Sequence, residues 1–337
     1  MMLSSKLCSQ EIVIADFLHD LAGTTSKLHH NIIDQYGYTT AIPIVVVSGV
    51  NKGPVTAITA GIHGYEYPPI IAVQELISEI NPKKLNGDLI FIPIANPSAF
   101  YSRSPFVNPV DQLNLNRSFP GDSTGTITAK IAHFITSEII ADADIYIDIH
   151  GGDPNEDLMP FVCYYKNESL QQQTASAAQL CMASGFDYVV SYPYTITPTD
   201  PAKYAFKQAV QDGKIALNIE CGKLGTSSQN DVRLIKAGVY NMLSELSMYQ
   251  IERSEHHSDF PQVLTNQSYI RSDSKGLLKS DLNAGDRVNQ GDIVGHIHDI
   301  FGESIKVLRA PSTGIILYKI GTPPVNVGET IMCVAYP

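Results

Sequence analysis

The sequence predicts an α/β domain followed by a small all-β module, and three observations carry the prediction. From about residue 42 to residue 250, apolar β-branched runs alternate with longer stretches of helical period, as strands covered by helices on both faces require. Beyond about residue 263 the pattern changes to short β-like runs broken by Gly, Pro, Asn and Asp. At 337 residues with 44% hydrophobic content, the chain also exceeds the size that one core usually serves. The expected division is a larger unit over residues 1–255 and a smaller one over 256–337.

The N-terminal stretch MMLSSKLCSQEIVIADFLHD has its apolar residues interrupted by Glu11, Asp16 and Asp20 and shows no small-residue cleavage site, so it does not read as a signal peptide. Expected strands are IPIVVVSG (42–49), TAITAG (56–61), DLIFIPIAN (88–96), DIYIDIH (144–150) and KIALNIE (214–220), several of them apolar without interruption. Expected helices are PPIIAVQELISEI (68–80), ITAKIAHFITSEII (127–140), a stretch around 169–184, and VRLIKAGVYNMLSELSM (232–248), each with apolar residues at three-to-four spacing. Residues 96–126, rich in Pro, Ser, Asn and Gly, show no period, and a loop of that length inside a compact domain is usually functional. QIERSEHHSDFPQ (250–262) reads as a linker. In the module that follows, GDRVNQGDIVGHI and APSTGIILY resemble the folded hairpins of lipoyl and biotinyl domains, which suggests a barrel-sandwich.

A formal net charge of −11 disfavours nucleic acid and anionic membranes as partners, since both reward basic patches. No segment is apolar long enough to span a bilayer. Five scattered cysteines (Cys8, Cys163, Cys181, Cys221, Cys333), never in a CxxC pair, argue against a disulfide framework or a thiolate zinc cluster and fit a reducing cytoplasm. Small-molecule chemistry is what remains.

GIHGYEYPP (61–69) follows a buried strand and puts His63 and Glu66 three residues apart, within reach of one metal ion. Taken alone, an HxxE at a helix start is commonplace. A third ligand is found in His150, at the carboxyl end of DIYIDIH, where open α/β sheets bind their ligands. Two His and one Glu form a catalytic zinc set with the fourth position left for water. Asp148 either orients a ligand or pairs a helix N-terminus. Glu220 ends another apolar strand and suits a catalytic base better than an edge ion pair; Cys221 beside it reads as a small buried thiol. In the 96–126 loop, Arg103, Asn116 and Arg117 are embedded among Pro, Phe and Leu, and an arginine fork there suits a substrate carboxylate or a developing oxyanion. His29, His30, His256 and His257 lie in polar segments and read as solvated; His296 and His298 share one face of a strand, where an exposed β face is the more frequent reading and metal binding the alternative.

GxHGxE, NLNRxFPG, a strand-end DIH and a strand-end Glu together resemble the succinylglutamate desuccinylase and aspartoacylase family over nearly the whole chain. The resemblance implies the zinc carboxypeptidase fold, a mixed sheet flanked by helices, with a small β module after it. It also implies one zinc ion on His63, Glu66 and His150, Glu220 as general base and acid, Asn116 and Arg117 on the substrate carboxylate, and Arg103 as the polarising arginine. Tyr269 and Tyr318 are candidates for closing the pocket. The expected activity is hydrolysis of an N-acyl amino acid by a cytoplasmic enzyme, with homo-oligomerisation left open. Rival expectations are a zinc carboxypeptidase acting on a peptide or cell-wall fragment, a non-catalytic metal-binding protein, and a carrier. A carrier needs its lysine at a hairpin tip, whereas Lys306 sits inside an expected strand.

Overall fold

The computed structural model describes residues 14–18, 21–197, 199–250 and 260–337. Its first ten strands are β1 (Thr24–Ile33), β2 (Thr39–Ser48), β3 (Asn51–Ala60), β4 (Asn86–Ile92), β5 (Ile145–His150), β6 (Glu156–Leu158), β7 (Phe161–Lys166), β8 (Tyr188–Pro193), β9 (Ile215–Glu220) and β10 (Gln262–Leu264). All but β6 join one mixed sheet in the order β1-β2-β4-β3-β5-β9-β7-β8-β10. At its centre β3, β5 and β9 run parallel, with Ala60 beside Ile149 and His150 beside Glu220, so their carboxyl ends form one edge.

Six helices cover the sheet: α1 (Tyr67–Glu79), α2 (Pro97–Ser102), α3 (Ile127–Phe134), α4 (Gln171–Ala183), α5 (Ala205–Gln211) and α6 (Gln229–Glu245). Alternation along each strand explains why the central strands are apolar throughout. Ile58, Ile147 and Leu217 pack under α1, α4 and α6 in one cluster, while their neighbours Ala57, Tyr146 and Ala216 pack with α3 and α5 in another. Each buried Leu or Ile contributes roughly 1.5–3 kcal/mol relative to an exposed one, so two such layers fix the sheet between them.

The α/β alternation expected from the sequence is met, with additions. Strand β1, whose residues are largely exposed or half-buried, pairs antiparallel with β2 at the sheet's edge; β7, β8 and α5 were likewise not anticipated. The helix expected over 127–140 is α-helical through Phe134 and continues as a π-helical turn over Ile135–Ile140. Strand β10, in the part of the sequence expected to be module, pairs parallel with β8 of the large sheet.

Eight further strands follow: β11 (Asn266–Arg271), β12 (Gly276–Lys279), β13 (Arg287–Val288), β14 (Ile293–His298), β15 (Ser304–Arg309), β16 (Gly314–Ile320), β17 (Pro324–Val325) and β18 (Thr330–Tyr336). They form one sheet in the order β11-β18-β16-β13 and a second in the order β15-β14-β12-β17. Ile297, Leu308, Ile316, Ile331 and Val334 share a core of their own. The first of these sheets is extended by β6, which pairs antiparallel with β16 and ties the module to the loop after His150.

Cys163, Cys181, Cys221 and Cys333 are buried free thiols, whereas Cys8, His256, His257 and residues 251–259 of the expected linker lie outside the described residues. Among the described residues, no helix is long and apolar enough to cross a membrane.

Candidate metal centre and active site

His63 is delivered by the turn that leaves β3. Gly61 takes φ 69° there, a left-handed conformation that costs glycine nothing. At Gly64 a side chain has no room, because a Cβ would stand 2.3 Å from the Ala99 carbonyl oxygen. Glu66 caps the start of α1, and Pro68 and Pro69 follow in the first helical positions, where a missing N–H is not felt. His150 arrives from the last position of β5.

The three side chains converge. Glu66 Oε1 lies 2.6 Å from His63 Nδ1, and Glu66 Oε2 lies 3.0 Å from His150 Nδ1. One ligand atom from each residue can be chosen so that all lie within 4.8 Å of one another, and all three residues are buried. Burial pushes the Glu66 carboxyl up, yet the charges of His150 and His63 outweigh it and hold it at about 2. Burial alone would pull the His150 imidazole down, but Glu66 and Asp148 hold it well above its ordinary value. A carboxylate that stays ionised with two imidazole nitrogens turned toward it is a donor set that fits a zinc ion.

The far sides of both rings are held as well. His63 Nε2–H donates to Asn114 Oδ1 at 3.2 Å, and that oxygen also accepts from Asn116 N at 2.8 Å. His150 Nε2–H donates to Asp148 Oδ2 at 3.1 Å. Thr59 Oγ1 in turn donates to Asp148 Oδ1 at 2.6 Å and meets the Tyr146 hydroxyl at 2.8 Å. An acceptor behind each imidazole puts the proton on Nε2 and leaves Nδ1 free to ligate.

Glu220 stands beside His150 in register at the end of β9, with Asn218 Nδ2 donating to its Oε1 at 2.8 Å. Burial is the main cause that raises its carboxyl to about 7, against the pull of His150. The triad and Glu220 open onto a cavity of about 580 Å³ that is also lined by Asn114, Asn116, Arg117 and Glu156. Tyrosines 165, 192, 204, 269 and 318 line it too, the last two from β11 and β16.

The family sequence model for the succinylglutamate desuccinylase/aspartoacylase catalytic domain matches residues 52–246. The chain belongs to this family. A curated relative, N-alpha-acetyl-L-2,4-diaminobutyric acid deacetylase of Halomonas elongata, is 31% identical over 303 residues, covering 87% of this chain and 85% of that protein. The product-bound structure of the ectoine utilization protein EutE (DoeB) from Ruegeria pomeroyi has a TM-score of 0.82 at 25% identity, covering 93% of this chain and 95% of that one. A succinylglutamate desuccinylase/aspartoacylase structure from Rhodobacter sphaeroides shares the fold, with a TM-score of 0.82 at 24% identity over 93% of this chain and 96% of that one.

In this desuccinylase/aspartoacylase chain, six residues singled out by sequence line the same cavity: His63, Glu66, His150, Glu220, Asn116 and Arg117. Asn116 Oδ1 accepts from Ala205 N at the start of α5, and the Arg117 guanidinium stacks 4.5 Å over the Tyr204 ring. Arg103 is placed elsewhere. It ends α2 in the left-handed conformation, φ 50°, with an exposed side chain, and does not line the cavity. Cys221 is buried with its thiol pushed up by burial, as befits a packing residue. Sequence reading missed the role of Asn114, although it belongs to the NLNR run, and it missed Glu156 and Gln267, whose place at the cavity depends on strand pairing between distant segments.

Proposed function

We propose that this chain is a zinc-dependent hydrolase that cleaves the amide bond of an N-acyl amino acid, and that the acyl group is acetyl, as in the name of the Halomonas relative. The observation that carries the reading is the convergence of His63, Glu66 and His150 with Glu220 and Arg117 on one cavity. His63, Glu66 and His150 would hold the ion. Bound zinc supplies Lewis-acid polarisation of the acyl carbonyl and acidification of the attacking water.

The remaining steps belong to the chain's own residues. Glu220, with its carboxyl near 7, accepts the proton of the attacking water and returns it to the departing amine. Arg117 and Asn116 take the substrate carboxylate. The catalytic unit, expected over residues 1–255, extends through β10 of the large sheet, and β11–β18 act as a barrel-sandwich of lipoyl type that covers it. A carrier role is disfavoured: Lys306 lies within β15 and pairs with Asp273 at 2.6 Å, away from a hairpin tip.

The test combines metal analysis with amine release from N-acetyl, N-succinyl and N-formyl amino acids and short peptides, for wild type and Glu220→Gln. Near-stoichiometric zinc and Glu220-dependent release from acyl amino acids are expected. Release from peptides alone would replace this reading with a carboxypeptidase, and neither zinc nor turnover would overturn both.

A further inference from the structure

Strand β6 contributes two neighbouring carboxylates that face opposite ways. Opposite β16, Glu156 pairs with Ile320, Asp157 with Lys319 and Leu158 with Tyr318. Because side chains alternate along a strand, Glu156 and Leu158 share one face, and both line the cavity together with Tyr318. Asp157 points the other way and is fully used: it is buried and accepts from Lys223 Nζ and Ala284 N, each at 2.9 Å. The Glu156 carboxylate has no hydrogen-bond or ion-pair partner among the described residues. Besides burial, the groups that act on it most are the carboxylates Glu220, Asp153 and Glu66, which disfavour its ionised form, and His150, which favours it. Nor is it a fourth ligand, since the metal-holding group found among the described residues is His63, Glu66 and His150 alone.

Burial, with Glu220, Asp153 and Glu66 nearby, raises the Glu156 carboxyl to about 8, so its ionised form, which has no partner from the protein, is favoured only when a cation from outside sits beside it in the cavity. Tyr318, within electrostatic reach of Glu156, adds an aromatic ring beside it, a surface that attracts ammonium groups. Arg117 lines the same cavity and forms no ion pair with Glu156, so both charges remain available to a ligand.

We propose that Glu156 determines substrate specificity by docking a side-chain ammonium group of the N-acyl amino acid whose carboxylate binds Arg117. The inference rests on the deacylase reading, takes its substrate class, an α-N-acylated diamino acid, from the name of the Halomonas relative, and adds the residue that selects it. A neutral side chain leaves Glu156 without a partner, and an acidic one meets three carboxylates.

Three substrates test this with the zinc-loaded enzyme: N-α-acetyl-L-2,4-diaminobutyrate, its neutral isostere N-acetyl-L-norvaline, and the acidic N-acetyl-L-glutamate. Each is assayed with wild type, Glu156→Gln and the charge-retaining Glu156→Asp, with zinc content checked in all. Wild type is expected to favour the diaminobutyrate derivative over the norvaline derivative by roughly 10- to 100-fold in kcat/KM, the range of a hydrogen bond to a charged group. In Glu156→Gln that ratio falls at least about tenfold, chiefly through KM, while Glu156→Asp keeps part of it. Equal or better turnover of the norvaline or glutamate derivative by wild type overturns the proposal, as does an unchanged ratio in zinc-loaded Glu156→Gln. Calorimetric titration of wild type with free 2,4-diaminobutyrate and free norvaline provides a readout without turnover. If none of the three derivatives is hydrolysed, the deacylase reading fails, and the titration alone decides for or against Glu156 as an ammonium site.

Discussion

At neutral pH the Glu220 carboxyl sits at its own titration point, because burial beside Glu66 offsets the attraction of His150 and leaves it at about 7. Only the ionised form can accept a proton, so acid removes activity and base restores it. A bound cation lowers this value and cannot raise it. The profile of kcat/KM should therefore rise with pH through a midpoint at or below about 7 and flatten above it. Glu220→Gln should remove that limb along with roughly 100-fold or more of the rate. A limb centred well above pH 8, or one that persists in Glu220→Gln, would place the base elsewhere. The residues legible in the sequence, His63, Glu66, His150 and Glu220, share one property: each ends or directly follows an apolar strand, where a polar side chain stands out. Asn114 does not stand out, because an asparagine in a polar loop carries no local sign that a distant histidine will donate to it.

Among the elements, the turn between β3 and α1 tolerates little change. Gly64 packs against the α2 loop so closely that a Cβ would meet the carbonyl oxygens of Ala99 and Ser104 at 2.3 and 2.5 Å. Gly64→Ala should cost about 1–3 kcal/mol of stability and displace His63, so zinc content should fall with the melting temperature. Full zinc occupancy in a stable Gly64→Ala would show that the turn can move without losing the ligand. Periodicity revealed the central strands because both of their faces are buried, so every position is apolar. It did not reveal β1, whose TTSKLHHNII is mostly exposed or half-buried and held by pairing with β2. Strand β6 is shorter still, three residues, two of them acidic, and it exists because β16 is there to receive it. Pairing between segments some 160 residues apart leaves no periodic trace in either.

For the molecule as a whole, the module is attached by strand pairing at two seams and by a core that Ile315, Leu317, Cys333 and Ala335 share with the large sheet. One is β6 on β16, reinforced where Asp157 accepts from Ala284 N and Lys223 Nζ. The other is β10 on β8, separated from the module's first strand by Thr265 alone. Asp157→Ala should leave the Ala284 N–H without its acceptor and cost about 1–3 kcal/mol, read as a lower unfolding temperature. An unchanged transition would mean that strand pairing and the shared core hold the module without the Asp157 contacts. The cavity is thus walled by two sheets, the candidate metal ligands and base on one and Tyr269 and Tyr318 on the other, with one face of the second packed into the core of the first. The pocket is thereby written in two stretches of the gene: codons for β11 and β16 can drift and reshape one wall, while the candidate metal ligands, the base, Arg117 and Glu156 are inherited together upstream.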